Sequence, residues 1–348
     1  MRIFYFCKKV KMKKYFVFQL LLLMGFSFAQ KLEFHTLLKD KISIRTIQLW
    51  KNRVYYAGTN SKFGYVSIND TIVKSQKRMA EKNLQFRAMA QTKDLFYLMN
   101  IESPAYLFKI TKKNLITEIV YTDDSKTAFY DAIIFDKKER GVAISDPEKN
   151  GKATFRLFSP YELKATDNAY IPNYNAGEAH FAASNSNIAM KGNTVWIATG
   201  GSVSRVFKFS WDRPYEWKAI VTPFVRGEAS GIYSIDFWDE KFGIAVGGNY
   251  TKQKDNINNI ATTFDGGETW QIQASGKNGG YKTCVKIRPE SNGKDIIVVG
   301  DQNIEFSTDF GKTWTTVSEE KNLYVCEWLD ENTIIFAGKD RILKAIFK

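Results

Sequence analysis

Thr263-Phe264-Asp265-Gly266-Gly267-Glu268-Thr269-Trp270 returns near the C-terminus as Ser307-Thr308-Asp309-Phe310-Gly311-Lys312-Thr313-Trp314. The two copies, S/T-x-D-x-G-x-T-W, begin at positions 263 and 307, 44 residues apart. A unit of that length ending a turn in tryptophan is the signature of radially repeated four-stranded sheets, a β-propeller. The phrase reads as a hairpin. Ser/Thr and Asp side chains bond the backbone of their own turn. Gly267 and Gly311 stand where positive φ is expected. Trp270 and Trp314 open the following strand with a large apolar face. Thr263, Asp265, Gly267, Trp270, Ser307, Asp309, Gly311 and Trp314 are therefore assigned structural roles.

Working outward from these turns exposes a weaker unit: an apolar strand, a polar turn, and a second apolar strand ending in small residues. Ile44-to-Leu49 leads to Val54–Gly58, Phe86-to-Ala90 to Leu95–Leu98, and Tyr130-to-Phe135 to Gly141–Ser145. Phe181-to-Met190 leads to Val195–Gly200, and Ile232-to-Trp238 to Gly243–Gly247. Cys284-to-Ile287 leads to Ile296–Gly300, and Leu323-to-Leu329 to Thr333–Gly338. The expectation is an all-β chain folded as a seven-bladed propeller with four-stranded blades, occupying residues 30–348 as one domain. The nearly continuous apolar second strands fit burial on both faces between blades. The last unit supplies only three strands, so Leu32-to-Leu37 is expected to add its outer strand and close the ring. Thr251-to-Asn259, polar and rich in Asn and Lys, reads as a surface loop.

The N-terminus reads differently. Lys11, Lys13 and Lys14 precede the apolar run Tyr15–Phe28, and Ser27-Phe28-Ala29 is a small-x-small cleavage signal. Residues 1–29 are expected to be a signal peptide, with Met12 as the biological start, and the mature chain to be periplasmic or extracellular. The run is short for a membrane span. The formal charge of +13 falls once this leader is set aside. Residues 1–30 hold six Lys and Arg and no acid, so 44 basic and 37 acidic residues remain, a net charge of +7. No basic run follows a phosphate backbone, and nucleic acid is not an expected partner. Cys284 and Cys326 fall one position out of phase in the unit alignment, so they are expected on opposite strand faces, unbridged.

In such a ring, the starts of innermost strands and the exits of second strands emerge on one face. They place Arg45, Arg87, Asp131, Asp146, Glu178, His180, Tyr233, Asn249, Tyr250 and Tyr281 at a common channel mouth. Glu228, Asp301 and Tyr324 join them. The cluster reads either as a ring of ion pairs fixing the inner strands or as a site for an anionic or hydroxyl-rich ligand. Arginine suits bidentate recognition of carboxylates.

The phrases Ile44-Arg45-Thr46, Phe86-Arg87-Ala88, Tyr130-Asp131-Ala132, Ser145-Asp146-Pro147, Gly177-Glu178-Ala179-His180, Gly231-Ile232-Tyr233-Ser234 and Gly280-Tyr281-Lys282-Thr283-Cys284 occur in this order. With the twice-repeated turn, known as the Asp-box or BNR repeat, they resemble secreted bacterial proteins of the photosystem II stability/assembly-factor-like group. The resemblance implies a seven-bladed Asp-box propeller related in fold to sialidases. It also implies a protein-binding role in which Arg45 and Arg87 contact the partner. Carry-over from sialidases is thinner. Ile44-Arg45-Thr46 lacks the proline of their Arg-Ile-Pro phrase, and only two arginines fall at inner-strand starts. Two function classes stay open: a monomeric binding propeller taking a protein or glycan, and a glycosidase using Glu178, Asp131, Asp146 or Tyr281. No dinucleotide turn, phosphate loop, His-Glu-x-x-His, Cys-x-x-Cys or Gly-x-Ser-x-Gly phrase is present. With His35 and His180 as the only histidines, no metal or cofactor is expected.

Overall fold

The computed structural model describes residues 31–159, 162–165 and 171–348. The expected signal peptide lies outside them. The described residues contain strands, turns and bends but no helix. All strand pairings are antiparallel and build six sheets arranged as a β-propeller.

Four of the sheets are four-stranded. They run outward from the inner strands Phe86–Gln91, Tyr130–Phe135, Ile188–Lys191 and Cys284–Ile287. The count departs from the expected seven because the first and last units are fused. Leu32–Trp50 and Thr333–Phe347 each run without a break through one six-stranded sheet. Leu32 to Lys39 pairs with Phe347 to Arg341, the register slips, and Ser43 then pairs with Lys339. A second six-stranded sheet forms because the short strand Gly200–Gly201 bridges Glu178–Ala179 to Ser230–Phe237.

The second strands are buried along their length; Ile296, Ile297, Val298 and Val299 are all inaccessible. Their two faces fill the spaces between neighbouring sheets, where strand residues from both sides form the core clusters. Trp196 stacks on Phe237 of the next sheet with ring centroids 3.7 Å apart. Its indole N–H donates to the Gly266 carbonyl at 2.8 Å, which seats the first repeated turn on the neighbouring sheet. Gly267 follows at φ 85°, and a Cβ there would press on the Trp196 indole at 3.0 Å.

Both turns have the same internal wiring. Asp265 accepts from the Thr269 N–H at 2.9 Å and the Thr269 hydroxyl at 2.6 Å, and the Gly267 N–H donates to Thr263 Oγ1. Asp309, Thr313, Gly311 and Ser307 repeat these bonds. Trp270 packs edge-on against Phe237, and the Trp314 indole N–H donates to Gly311.

The inner strands contact one another in succession, and Leu323–Trp328 contacts Leu32–Trp50. One inner-strand expectation fails. Phe181–Asn187 is not strand; only Ile188–Lys191 of that unit pairs as one. The residues before it cross the channel instead. Asn185, at φ 57°, bonds through its amide to the carbonyls of Met89 and Ile133, and its Oδ1 accepts from the Ile133 N–H. The Ser184 hydroxyl donates to the Thr283 carbonyl, and the Ser186 and Ser234 hydroxyls bond at 2.6 Å. This plug therefore bonds inner strands on several sides of the channel. It separates two cavities, of about 490 and 430 Å³, whose linings share no residue.

Candidate functional site

A recurring backbone irregularity sets side chains in or beside the larger cavity. Pairing between first and second strands slips by one residue at Ile44/Thr46, Phe86/Ala88, Ile232/Ser234 and Leu323/Val325. The corresponding slip in Tyr130–Phe135 falls between Tyr130 and Ala132. The residues left over are Arg45, Arg87, Tyr233, Tyr324 and Asp131. A β-bulge leaves one residue unpaired, bends the strand and re-aims its side chain, which is why bulges gather beside binding sites. The same device corrects the cysteine expectation. The slip at Leu323/Val325 shifts Cys326 by one position, and a one-residue shift turns a side chain to the other face. Cys326 therefore meets Cys284, with the sulfurs 3.9 Å apart; both remain buried free thiols.

The cavity is lined by Arg45, Arg87, Asp146, His180, Glu228, Tyr233, Tyr250, Tyr281 and Asp301, together with Phe129, Phe181 and Gln253. The plug forms its floor through Ala182 and Ala183. Arg87 donates from Nη1 to the Ala182 carbonyl at 3.3 Å and from Nη2 to Gln85 Oε1 at 3.4 Å. Arg45 donates to the Ala183 carbonyl at 3.2 Å, and its guanidinium lies 4.1 Å from the Tyr324 ring centre. Neither arginine forms an ion pair among the described residues, so both keep charge to offer. Burial, then the like charge of Arg45, pulls the Arg87 pKa down.

One wall is aromatic. Phe181 stacks on Tyr233 with ring centroids 4.0 Å apart, and Tyr281 meets Tyr233 edge-on at 4.8 Å. Burial pushes both phenols up, so they stay protonated. Tyr250 sits at the rim with half its surface exposed.

Three expected mouth residues do other work. Glu178 is sealed beneath the surface. It accepts from Arg205 Nε at 2.9 Å and Nη2 at 2.5 Å, from the Thr199 hydroxyl at 2.7 Å and from the Asn175 N–H at 2.9 Å. It sits in the short side strand Glu178–Ala179 rather than at an inner-strand start, so it is unavailable as a catalytic acid. Asn249 caps its own turn, accepting from the Thr251 hydroxyl and the Thr251 and Lys252 N–H groups. Asp131 is fully buried behind the cavity wall rather than lining it.

His180 lines the cavity but is committed. Its Nδ1–H donates to the Ala198 carbonyl at 2.9 Å, and Nε2 accepts from the Tyr174 hydroxyl at 2.6 Å. Burial lowers its pKa to about 4, so the ring is neutral. Asp146 accepts the His180 backbone N–H at 2.7 Å. Burial raises Asp146, and burial together with Asp146 raises Asp131. Asp301 accepts from Gln253 at 2.7 Å, while its other oxygen is buried with no partner among the described residues.

Gln253 is a lining residue that the sequence did not mark. It comes from the 251–259 loop, whose polar composition carries no sign that it folds over the mouth. Phe129 and Phe181 were hidden as ordinary apolar positions beside strands. Among the described residues no group of three or more His, Cys, Asp or Glu is placed to hold a metal ion. No helix among them is long and apolar enough to cross a membrane.

This architecture defines a β-propeller with a polar, arginine-bearing cup at one end of its channel. No protein-family model matches the chain, and no curated protein matches it. Among solved structures, YCF48 bound to D1 peptide superposes with a TM-score of 0.64 at 11% identity, covering 91% of this chain and 97% of that one. YCF48 from Cyanidioschyzon merolae gives 0.64 at 12% identity, covering 89% and 98%. The WD40 β-propeller domain of Doa1 gives 0.62 at 11% identity, covering 90% and 97%. At such identities the likeness establishes the fold.

Proposed function

We propose that this chain is a protein-binding propeller that takes an anionic segment of a partner in the cup. The observation that carries the reading is the pair Arg45 and Arg87. Two bulges on consecutive inner strands aim two guanidinium groups into one cavity, each held by a single plug carbonyl and neither neutralised by an ion pair. Charge-assisted hydrogen bonds from such groups are about twice as strong as neutral ones. The aromatic wall gives side chains beside the anion a surface to pack on. That YCF48, a propeller of similar shape, has been solved with a peptide bound supports the choice of a protein over a glycan.

The strand pairing of Leu32 to Lys39 with Phe347 to Arg341 supports a reading in which this strand closes the ring and keeps the cup's geometry fixed. The apolar run at Tyr15–Phe28 directs export, so the partner is met outside the cytoplasm.

The test is capture of binders from a random peptide display library on immobilised protein, with a glycan array in parallel. Peptides rich in carboxylates should be enriched. Arg45→Ala and Arg87→Ala should each weaken their binding at least tenfold, about 1.4 kcal/mol or more, with thermal stability retained. Enrichment of neutral or basic peptides, or of glycans alone, overturns the reading. So does binding that survives both substitutions.

A further inference from the structure

We propose that anion binding in the cup is proton-linked: Asp131 and Asp146 hold one proton between them when the cup is competent, and its loss to solvent puts a second negative charge beside Arg87. This rests on the reading of the cup as an anion site and adds its regulation.

The argument is geometric. Asp131 is the bulged residue of Tyr130–Phe135, and Asp146 lies on the strand paired to it. The Asp146 N–H donates to the Phe129 carbonyl at 2.8 Å, which locks the two segments together. Asp131 is wholly buried, and neither of its oxygens has a hydrogen-bond donor in reach among the described residues. A buried carboxylate without a donor is costly to ionise, and a second carboxylate nearby makes it costlier.

The groups that face the pair are nearly all committed. Arg87 is the cation beside it, with donors directed to Ala182 and Gln85. Arg45 adds positive charge farther round the mouth, against Tyr324. His180 is neutral and gives Asp146 only its backbone N–H. The Tyr174 hydroxyl is spent on His180. Glu178 is neutralised by Arg205. Glu102 faces Arg87, adding negative charge and no proton donor. Two cations, Arg87 and Arg45, therefore stand against Glu102 and the two carboxylates of the pair, and the neutral arrangement is one proton shared by the pair. Burial pushes Asp146 up to about 7, in keeping with this.

The sign follows from linkage. Groups raised in the folded protein keep a proton through the range in which ordinary carboxylates lose theirs, and release it at a higher pH. Below that release Arg87 faces Glu102 and one negative charge on the pair, and above it Glu102 and two. Anion affinity therefore falls as pH rises through the release, by up to about tenfold per pH unit while one proton is linked to binding.

Two measurements on the full chain test this. The first needs no ligand: NMR titration of protein carrying ¹³C-labelled aspartate, with Asp131→Asn and Asp146→Asn for assignment. One carboxyl of the pair should titrate far above the ordinary range, and Asp146→Asn should lower Asp131 toward it. If both ionise within the ordinary range, the inference fails whatever the cup binds. The second is calorimetric titration with benzoate, an aromatic monocarboxylate suited to the cup. Affinity should fall with rising pH in the wild type and stay flat in Asp131→Asn, or in Asp146→Asn should the first variant not fold. A high-titrating carboxyl with pH-independent benzoate binding overturns the linkage. No benzoate binding at any pH, with the high-titrating carboxyl in place, defeats the anion-cup reading and the linkage with it.

Discussion

Replacing Glu178 separates a structural acid from a ligand-binding one. Its side chain is fully enclosed and accepts four hydrogen bonds, two of them from Arg205, whose own side chain is nearly enclosed. Glu178→Ala leaves that guanidinium buried with, among the described residues, only the Asn173 carbonyl as a remaining acceptor, at 2.7 Å. Removing one partner of such a pair costs about 3–5 kcal/mol, because the surviving charge stays desolvated and unpaired. Unfolding entropy of about 2.1 cal/mol/K per residue over a domain of about 318 residues comes to roughly 0.7 kcal/mol/K. The cost then lowers the melting temperature by about 4–7 °C. Glu178→Gln, which keeps an acceptor for Thr199, should lose less. The double change Glu178→Met with Arg205→Met should recover much of the loss, because apolar side chains of similar volume carry no desolvation penalty. Differential scanning calorimetry reads all three. An unchanged melting temperature in Glu178→Ala, coupled with lost peptide binding, would refute the reasoning and return Glu178 to the binding surface.

Deleting residues 31–38 removes the buried Leu32, Leu37 and Leu38 from the fused sheet. At about 1.5–3 kcal/mol per buried leucine, the urea midpoint should fall sharply, and an unchanged midpoint would mean that this strand does not close the ring. The Asp265 carboxylate gives a pH signature. Burial pushes its pKa up, but the bonds from Thr269 and Thr263 together outweigh it and hold the pKa down to about 2. A lowered carboxylate contributes stability above its unfolded pKa and loses it as pH falls through the folded value. The wild type should therefore lose this hairpin's contribution between about pH 4 and pH 2. Asp265→Asn should show a weaker acid dependence in melting scans over that range, and identical acid profiles would discount the bonds.

The strands were legible because burial between sheets demands long apolar runs, and Val54–Gly58 or Ile296–Val299 can hardly be anything else. Arg45, Arg87 and Tyr233 were legible as mouth residues because each interrupts an apolar inner strand at the same place in the unit. The bulge that aims them was not, since the extra residue is defined by its pairing partner. That is also why Cys284 and Cys326 look out of phase yet meet. The segment of Glu178 reads in sequence as the approach to an inner strand, whereas Gly200–Gly201 draws it aside. The crossing segment Phe181–Asn187 runs straight into the apolar Ile188–Met190 and reads with it as one strand, and only its hydrogen bonds to distant carbonyls reveal otherwise.

That crossing segment decides how anything enters. With Ala182 and Ala183 as a floor, the cup is a blind well, cut off from the second cavity behind the plug. A polypeptide cannot be threaded from one side to the other, so only a chain end or the tip of a tight loop reaches the arginines. Whatever docks must also back out the way it came, and its release is therefore governed by the rim where Tyr250 and the 251–259 loop stand.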